Sequence, residues 1–444
     1  MAASRETFGG KLAAVLAMAG SAIGLGNIWR FPYLVGQNGG AAFILVYLVA
    51  CFVLALPIFF AEAVIGRRGG SNTFSAMEKL APGSAWKWMG LITVAAPLLL
   101  LSYYSVVGGW SVDYLFKAVT LQFTGDTSGI FERFITSTWE PLAAHTVFMA
   151  FTAAVILAGV KNGIEKFTKI TMPLLFLLII VIVVYGLTLP GSWKGVEYLV
   201  RPDLSKINVN VIATAMGQAF FSLSLGVGTI LTYASYMRKE DNVVAAGTYT
   251  ALSDLLFALL AGFAVMPAVF AAGIQPGQGP GLVFDTLPYI FSQMHGAGTV
   301  VAILFFFSIL IAALTSSISL LEVGVAYLVE EKGWSRKRST LVLALASWAL
   351  GVLCSLSFGP MAHVQLLGKG FFDFLDSLCS DWLMPLGGLL FTLFVGWRMS
   401  KADVRDELTN GGTCNVRIFG AVYILVRYLA PIGIAVVFLS NLLL

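Results

Sequence analysis

Apolar residues fall into eleven long runs along this chain, separated by short stretches where charges, glycines and prolines gather. A run of about 20 apolar residues crosses the hydrocarbon core of a bilayer as a helix. The pattern predicts eleven transmembrane helices over 11–36, 40–66, 88–118, 143–160, 165–189, 210–236, 244–273, 298–329, 339–357, 367–397 and 416–443, numbered spans 1 to 11. Arg67-Arg68-Gly69-Gly70, Pro190-Gly191 and the proline–glycine run at 275–281 read as loops between them. The expected fold is an all-α polytopic membrane protein, a single transmembrane domain over 1–444.

Two runs are interrupted. Span 1 contains Gly20-Ser21-Ala22-Ile23-Gly24-Leu25-Gly26-Asn27-Ile28-Trp29-Arg30-Phe31-Pro32. Glycine in a helix interior costs about 1 kcal/mol against alanine, and an ionisable group at membrane depth about 2.5–3.5 kcal/mol on insertion scales. A segment that only had to span lipid would not carry all of these together. The stretch reads as two half-helices joined by unwound backbone, which survives at membrane depth only when buried in protein or lining a cavity. Its freed carbonyls can hold a cation and the amides of the second half-helix an anion; the alternative is a tight glycine packing face. Span 6 carries a second interruption, Ser222-Leu223-Ser224-Leu225-Gly226-Val227-Gly228. Spans 1 and 6 are five apart, so spans 1–5 and 6–10 would have opposite topology. That is the arrangement of an inverted-repeat transporter whose two discontinuous helices meet near the midplane. The 5+5 repeats are expected at about 11–189 and 210–397, with 416–443 as an additional helix.

Composition removes the other classes. The 444 residues are 58% hydrophobic and 11% charged, whereas soluble domains run near about 25% charged. The formal net charge of +4 says less than where the charges lie. With the N-terminus inside, nineteen lysines and arginines fall on inner segments and six on outer ones, of 27 in all, which satisfies the positive-inside rule loop by loop. No cleavable signal peptide is expected, because Gly-Asn-Ile-Trp-Arg-Phe-Pro follows the first apolar run where a small-residue cleavage site would stand. Cys51, Cys354, Cys379 and Cys414 have no metal-binding spacing.

The polar residues inside the spans suggest chemistry. Span 8 carries Thr315-Ser316-Ser317-Ile318-Ser319. Hydroxyls in a membrane helix usually bond back to the preceding turn, but Thr315 and Ser316 beside a free carbonyl of span 1 would make an all-oxygen cage. Hard monovalent cations prefer such ligands, and the lack of clustered Cys and His excludes soft metals. Asp254 in span 7 is an intramembrane carboxylate, read as a cation ligand or fixed negative charge, with a buried ion pair as the alternative. Glu62 in span 2 could bond unwound backbone. One phenol of Tyr103-Tyr104 could donate to a carboxylate, or both could be aromatic packing. Arg30 facing Asp373 or Asp376 across a vestibule would make a water-mediated outer gate, and Arg5 with Glu330 or Glu331 an inner one; for each pair the alternative is solvated loop charge. Gly163 and Pro173 in span 5 form either a static kink or a hinge whose unwinding admits water.

At these residues the chain resembles the neurotransmitter:sodium symporters. Gly20–Asn27 followed by Trp29-Arg30-Phe31-Pro32-Tyr33 is similar to the family's span 1 signature, Asn38-Gly39-Gly40-Ala41-Ala42-Phe43 to its next motif, and Gln218–Gly226 with Thr232-Tyr233-Ala234-Ser235-Tyr236 to its span 6. The likeness covers spans 1–10, and the short termini resemble the bacterial, leucine-transporter branch. It implies no enzyme but sodium-coupled import of a hydrophobic or aromatic L-amino acid by alternating access, in a bacterial cell membrane with a cytoplasmic N-terminus. The runner-up is an intramembrane enzyme or ion channel. By matching position, one sodium would be held by Ala22, Asn27, Ser222 and Asp254, and a second by Gly20, Ile23, Ala312, Thr315 and Ser316. The substrate carboxylate would meet Leu25, Gly26 and Tyr104, and the amine Ala22, Phe221, Ser222 and Ser224. Leu100, Val107, Phe221, Val227, Ser316 and Leu320 would line the side-chain pocket, and Arg30, Asp376, Arg5 and Glu330 would gate it. Gly24 replaces the Asp of monoamine-type members, which implies a zwitterionic amino acid. Val227 replaces a Phe of some members. Asp254 replaces a common Asn, and Ala258 the chloride-site Ser or Glu, so chloride-independent transport is expected. The implied partners are the amino acid, sodium and the bilayer, with no nucleic acid; a monomer suffices and a dimer is compatible.

Overall fold

The computed structural model describes residues 6–123, 127, 129–276, 281–414 and 419–443. Among the described residues, nine continuous helices are long and apolar enough to cross a membrane: Ala41–Gly69, Trp86–Val119, Trp139–Leu157, Val160–Leu187, Val243–Ala271, Gly296–Lys332, Arg336–Leu356, Phe371–Arg398 and Phe419–Leu439. A tenth is a broken pair, Lys11–Ala22 and Gly26–Gln37, bent by 51°. Where span 6 is expected stand two shorter helices, Val209–Ser222 and Thr229–Ala234. The described residues form no strand beyond one isolated bridge, Leu366 to Lys369.

Hydrogen bonds explain the break in span 1. Ile23 leaves the helix in extended conformation, with φ −73° and ψ 105°. The Gly24 amide donates to Asn27 Oδ1 at 3.1 Å, and the Leu25 amide donates to the Tyr104 hydroxyl at 3.2 Å. Side chains thus take over donors that a continuous helix would have satisfied internally. In span 6 the chain passes through left-handed backbone at Ser224 (φ 52°), Gly226 (φ 82°) and Gly228 (φ 71°). The Gly226 amide donates to Glu62 Oε1 at 2.6 Å, and Ser224 Oγ donates to the Ser21 carbonyl at 2.9 Å. The two breaks are therefore bonded to each other, and Glu62 serves the unwound backbone, as its place in span 2 suggested.

Successive connections gather at alternate ends of the bundle. At the basic end Arg67 bonds Glu407 and the Asp241 carbonyl, and Arg336 Nε donates to the Ile156 carbonyl at 2.7 Å. Glu330 accepts from the Asn72 amide at 2.7 Å, and the Val160 amide donates to Glu6 at 2.5 Å. At the opposite end Tyr198 donates to the Gly36 carbonyl at 2.9 Å, and the Trp110 ring packs on Phe131, Phe284 and Phe358.

Boundaries depart from the sequence reading where local chemistry overrides the apolar pattern. Span 10 starts at Phe371 instead of 367, because Leu367 (φ 51°) and Gly368 (φ 80°) make a tight turn closed by the Leu366–Lys369 bridge. Span 4 starts earlier, at Trp139. In span 5 the helix is wound through both Gly163 and Pro173 in this conformation. Gly163 sits in a wide turn over Val160–Glu165, where a Cβ would lie 2.0 Å from the Val155 carbonyl oxygen.

The break in span 6 has no room for a side chain at Gly226: a Cβ there would lie 2.0 Å from the Met384 carbonyl oxygen. A non-glycine residue in such backbone also costs about 1–3 kcal/mol. Gly226→Ala should lower the melting temperature of the purified protein by several degrees in a detergent thermal-shift measurement. Gly217→Ala, in the preceding helix with its nearest neighbour 4.0 Å away, should leave it unchanged or raise it.

Candidate functional site

A cavity lies where the two breaks meet spans 3, 8 and 10. It is lined by Ala22, Gly24, Leu25, Gly26, Leu100, Tyr104, Phe221, Ser224, Val227, Ser316 and Leu320. Every expected substrate-lining residue is therefore present except Ser222, which points into an adjoining polar cluster, and Val107, which lines a second cavity toward the opposite end. One wall residue, Met384 of span 10, was not foreseen. Gly24 is tightly enclosed: a Cβ there would lie 2.4 Å from Ser316 Oγ and 2.9 Å from the Tyr104 hydroxyl. The two tyrosines divide their roles. Tyr104 accepts from the Leu25 amide, while the Tyr103 ring packs edge-on against Phe372 at 5.5 Å.

Beside the cavity, Asn27, Ser222 and Asp254 form one buried cluster. Asn27 Nδ2 donates to Asp254 Oδ1 at 2.7 Å and to Ser222 Oγ at 2.9 Å, and Ser222 Oγ donates to Asp254 Oδ2 at 2.8 Å. Asp254 is wholly buried. Its side-chain partners among the described residues are neutral. A buried carboxylate is costly unless a positive charge pairs with it. This oxygen-rich cluster fits a small hard cation, and Ala22, the remaining expected ligand, borders the central cavity. Two further groups were missed: the Tyr47 hydroxyl donates to Ser222 Oγ at 3.3 Å, and Gln218 Nε2 donates to the Gly26 carbonyl at 2.8 Å. Both are polar residues in apolar runs, which was a usable signal.

A second oxygen cluster joins spans 1 and 8. Thr315 Oγ1 lies 3.4 Å from the Ile23 carbonyl oxygen and 3.0 Å from that of Ala312, and Ser316 Oγ lies 3.4 Å from the same Ile23 oxygen. Gly20 is adjacent, since a Cβ there would sit 3.4 Å from Thr315 Cβ. All five expected residues converge, and the donor set is carbonyl and hydroxyl oxygen. Among the described residues no group of three or more His, Cys, Asp or Glu could hold a metal ion.

The gate residues are placed less simply. Arg30 and Asp376 line the same second cavity, but Arg30 lies over the Phe221 ring at 4.6 Å and Asp376 accepts from Ser380 Oγ at 3.0 Å. Among the described residues no direct ion pair joins them. At the basic end Glu330 is held by Asn72; Arg5 lies outside the described residues. At the same end Phe8 is fully buried, edge-to-face with Tyr233 and Tyr236, and Arg238 donates to the Phe8 and Gly9 carbonyls. A buried ion pair, Glu322 with Arg336 at 2.6 Å, accepts a further bond from Tyr236.

The profile of the sodium:neurotransmitter symporter family matches residues 5–140 and 131–443. The chain belongs to this family. It is 41% identical over 434 residues to the uncharacterized sodium-dependent transporter YhdH of Bacillus subtilis, covering 97% of this chain and 96% of the relative. A Haemophilus influenzae sodium-dependent transporter is 35% identical over 454 residues, with 99% and 98% covered. The crystal structure of MhsT in complex with L-phenylalanine superposes with a TM-score of 0.91 at 43% identity, over 99% of this chain and 100% of that one. These relatives of the symporter family are sodium-dependent transporters, not enzymes, and the apolar spans make this chain an integral membrane protein.

Removing Asp254 leaves the Asn27 and Ser222 donors without their acceptor, at about 1–3 kcal/mol per buried unsatisfied group. Asp254→Ala should lower the melting temperature, and sodium should stabilise the wild type against heat more than the variant when each is compared with potassium.

Proposed function

We propose that this protein is a sodium-coupled symporter that imports a hydrophobic or aromatic L-amino acid by alternating access, without chloride. The observation that carries the reading is the enclosure of Gly24 between Ser316 and Tyr104. Gly24 places no acidic side chain there to pair with an amine. A carboxylate beside the Leu25 and Gly26 backbone and the Tyr104 hydroxyl supplies its own charge, so a zwitterion suits the cavity. The apolar wall of Leu100, Val227 and Leu320 suits a hydrophobic side chain, and the L-phenylalanine bound by the related MhsT is consistent with that.

In this mechanism Asn27, Ser222, Asp254 and the Ala22 carbonyl hold one sodium next to the substrate carboxylate. Gly20, Ile23, Ala312, Thr315 and Ser316 hold a second, pinning span 1 to span 8. Ion and substrate each neutralise charge that the other leaves exposed, so their affinities rise together. Asp254 provides the fixed negative charge that chloride would otherwise supply, and Ala258 leaves no chloride ligand one turn later. The eleven crossings form repeats over 11–189 and 210–397 plus the helix at 416–443. The basic end faces the cytoplasm of a bacterial cell, and the monomer contains every site. Arg30 and Asp376 close the outer cavity over the substrate. Release of Phe8, Arg5 and Glu330, with unwinding between Gly163 and Pro173, opens the inner side.

Proteoliposomes should accumulate leucine, phenylalanine or tryptophan only down an inward sodium gradient; uptake indifferent to that gradient removes the reading. Uptake should be equal in chloride and gluconate, and stimulation by chloride would overturn the assignment of Asp254. Asp254→Asn should weaken apparent sodium affinity by about tenfold or more, since bonds to a charged group contribute about 1.5–3 kcal/mol. Gly24→Asp should abolish amino-acid binding, read by scintillation proximity, while the protein still purifies folded.

A further inference from the structure

The geometry points to Met384 as a movable partition that sets how large a side chain the central cavity accepts, a specificity-determining residue for the transport reading on which this inference rests. Leu100, Phe221, Val227, Leu320 and Met384 are among the apolar residues that wall the cavity. Of these, Phe221 and Met384 also border a separate cavity between spans 6, 10 and 11, beside Thr214, Gly217 and Val437. Both therefore have empty space on two sides.

Phe221 is not free to move into that space. The Arg30 guanidinium lies over its ring at 4.6 Å, and a Cβ on Gly26 would sit 3.1 Å from its ring edge. Met384 is held at its backbone instead. Its carbonyl oxygen packs against Gly226, and Gly387 packs as closely on the Gly226 carbonyl, where a Cβ would lie 1.9 Å away. Span 10 is thus fixed to the unwound turn of span 6 through its backbone, and the buried Met384 lies between two cavities. The methionine side chain is unbranched, with three rotatable bonds and a polarizable sulfur that makes favourable contact with aromatic edges. Val227, by contrast, is β-branched and stiff, and it is held between Gly226 and Gly228, whose left-handed backbone sets its direction. A rotation of Met384 toward the second cavity enlarges the central one without moving any backbone. The small Val227 leaves the partition within reach of a long substrate side chain. One site can then admit both a branched aliphatic and a bicyclic aromatic amino acid, with Met384 packed in for the first and swung out for the second.

The test is sodium-dependent binding of alanine, leucine, phenylalanine and tryptophan to the purified full-length protein and to variants at this position. Met384→Ile keeps an apolar wall but stiffens it. It should leave alanine and leucine within about threefold of wild type and weaken tryptophan about tenfold or more, the scale on which a hydrophobic pocket discriminates. Met384→Ala removes the partition and should weaken leucine while leaving tryptophan unchanged or tighter. Met384→Leu, the mildest change, is measured alongside and should shift in the direction of Ile, so that one poorly folding variant does not decide the result. If all four amino acids shift by the same factor, or none shifts, Met384 is not a partition. Wild-type protein that binds these amino acids with an unmoved size ranking in the variants overturns only Met384's role. Wild-type protein that binds none of them in sodium overturns the transport reading, and the partition with it.

Discussion

Backbone that unwinds inside a membrane has to find partners within the protein, and the rest of this structure follows from that requirement. Lipid offers no hydrogen bonds, so each orphaned amide or carbonyl at membrane depth costs several kcal/mol. Two helices break here, and many of the freed groups are taken up by named side chains. Glu62 takes the Gly226 amide, Gln218 donates to the Gly26 carbonyl, Ser224 donates to the Ser21 carbonyl, and Asn27 takes the Gly24 amide. Three of these bonds join different spans and one, Asn27 to Gly24, is local, so the breaks are held open by the bundle as well as by local sequence. What is left after this satisfaction is a small cavity edged with backbone polarity on one side and apolar side chains on the other.

The same bonding makes the site a coupled unit. Span 1 is tied to span 7 through Asn27 and Asp254, to span 6 through Ser222 and Ser224, and to span 8 through Thr315 and Ser316. A cation added to either oxygen cluster acts on the shared helix and so on the cavity between them. The charge balance points the same way. Asp254 is wholly buried with neutral side-chain partners among the described residues, and a cation is the partner that the electrostatics of the site call for.

Much of this was legible in the sequence, because the expensive residues advertise themselves. Three glycines, an asparagine and an arginine inside one apolar run mark the broken span, and an aspartate in another marks a site, since neither pattern is compatible with simple insertion in lipid. The oxygen clusters followed from hydroxyl spacing and likeness to the family. Met384 did not, because nothing distinguishes one methionine in an apolar helix from another; its role arises from a backbone contact with Gly226 across some 160 positions of chain. The stacking of Arg30 on Phe221 was likewise hidden. A charge in a sequence suggests an opposite charge, and a ring is as good a partner for guanidinium where water is scarce.

The closures at the two ends differ in kind, and the difference bears on how such a protein can turn over. At the basic end the seal combines a buried ring, Phe8, with charged groups bonded to backbone and to each other, including the wholly buried Glu322 against Arg336. Buried ion pairs contribute little net stability over an apolar substitute, yet breaking one by removing a partner is costly. Such a seal is specific and all-or-none. The opposite end has a cavity under Arg30 and Asp376, with its cation resting on an aromatic face. That arrangement is softer and adjusts without separating opposite charges. Here the harder seal stands on the cytoplasmic side of the proposed orientation. In the proposed mechanism its opening draws on binding energy gathered at both oxygen clusters and the substrate, which would tie release inward to full loading of the site.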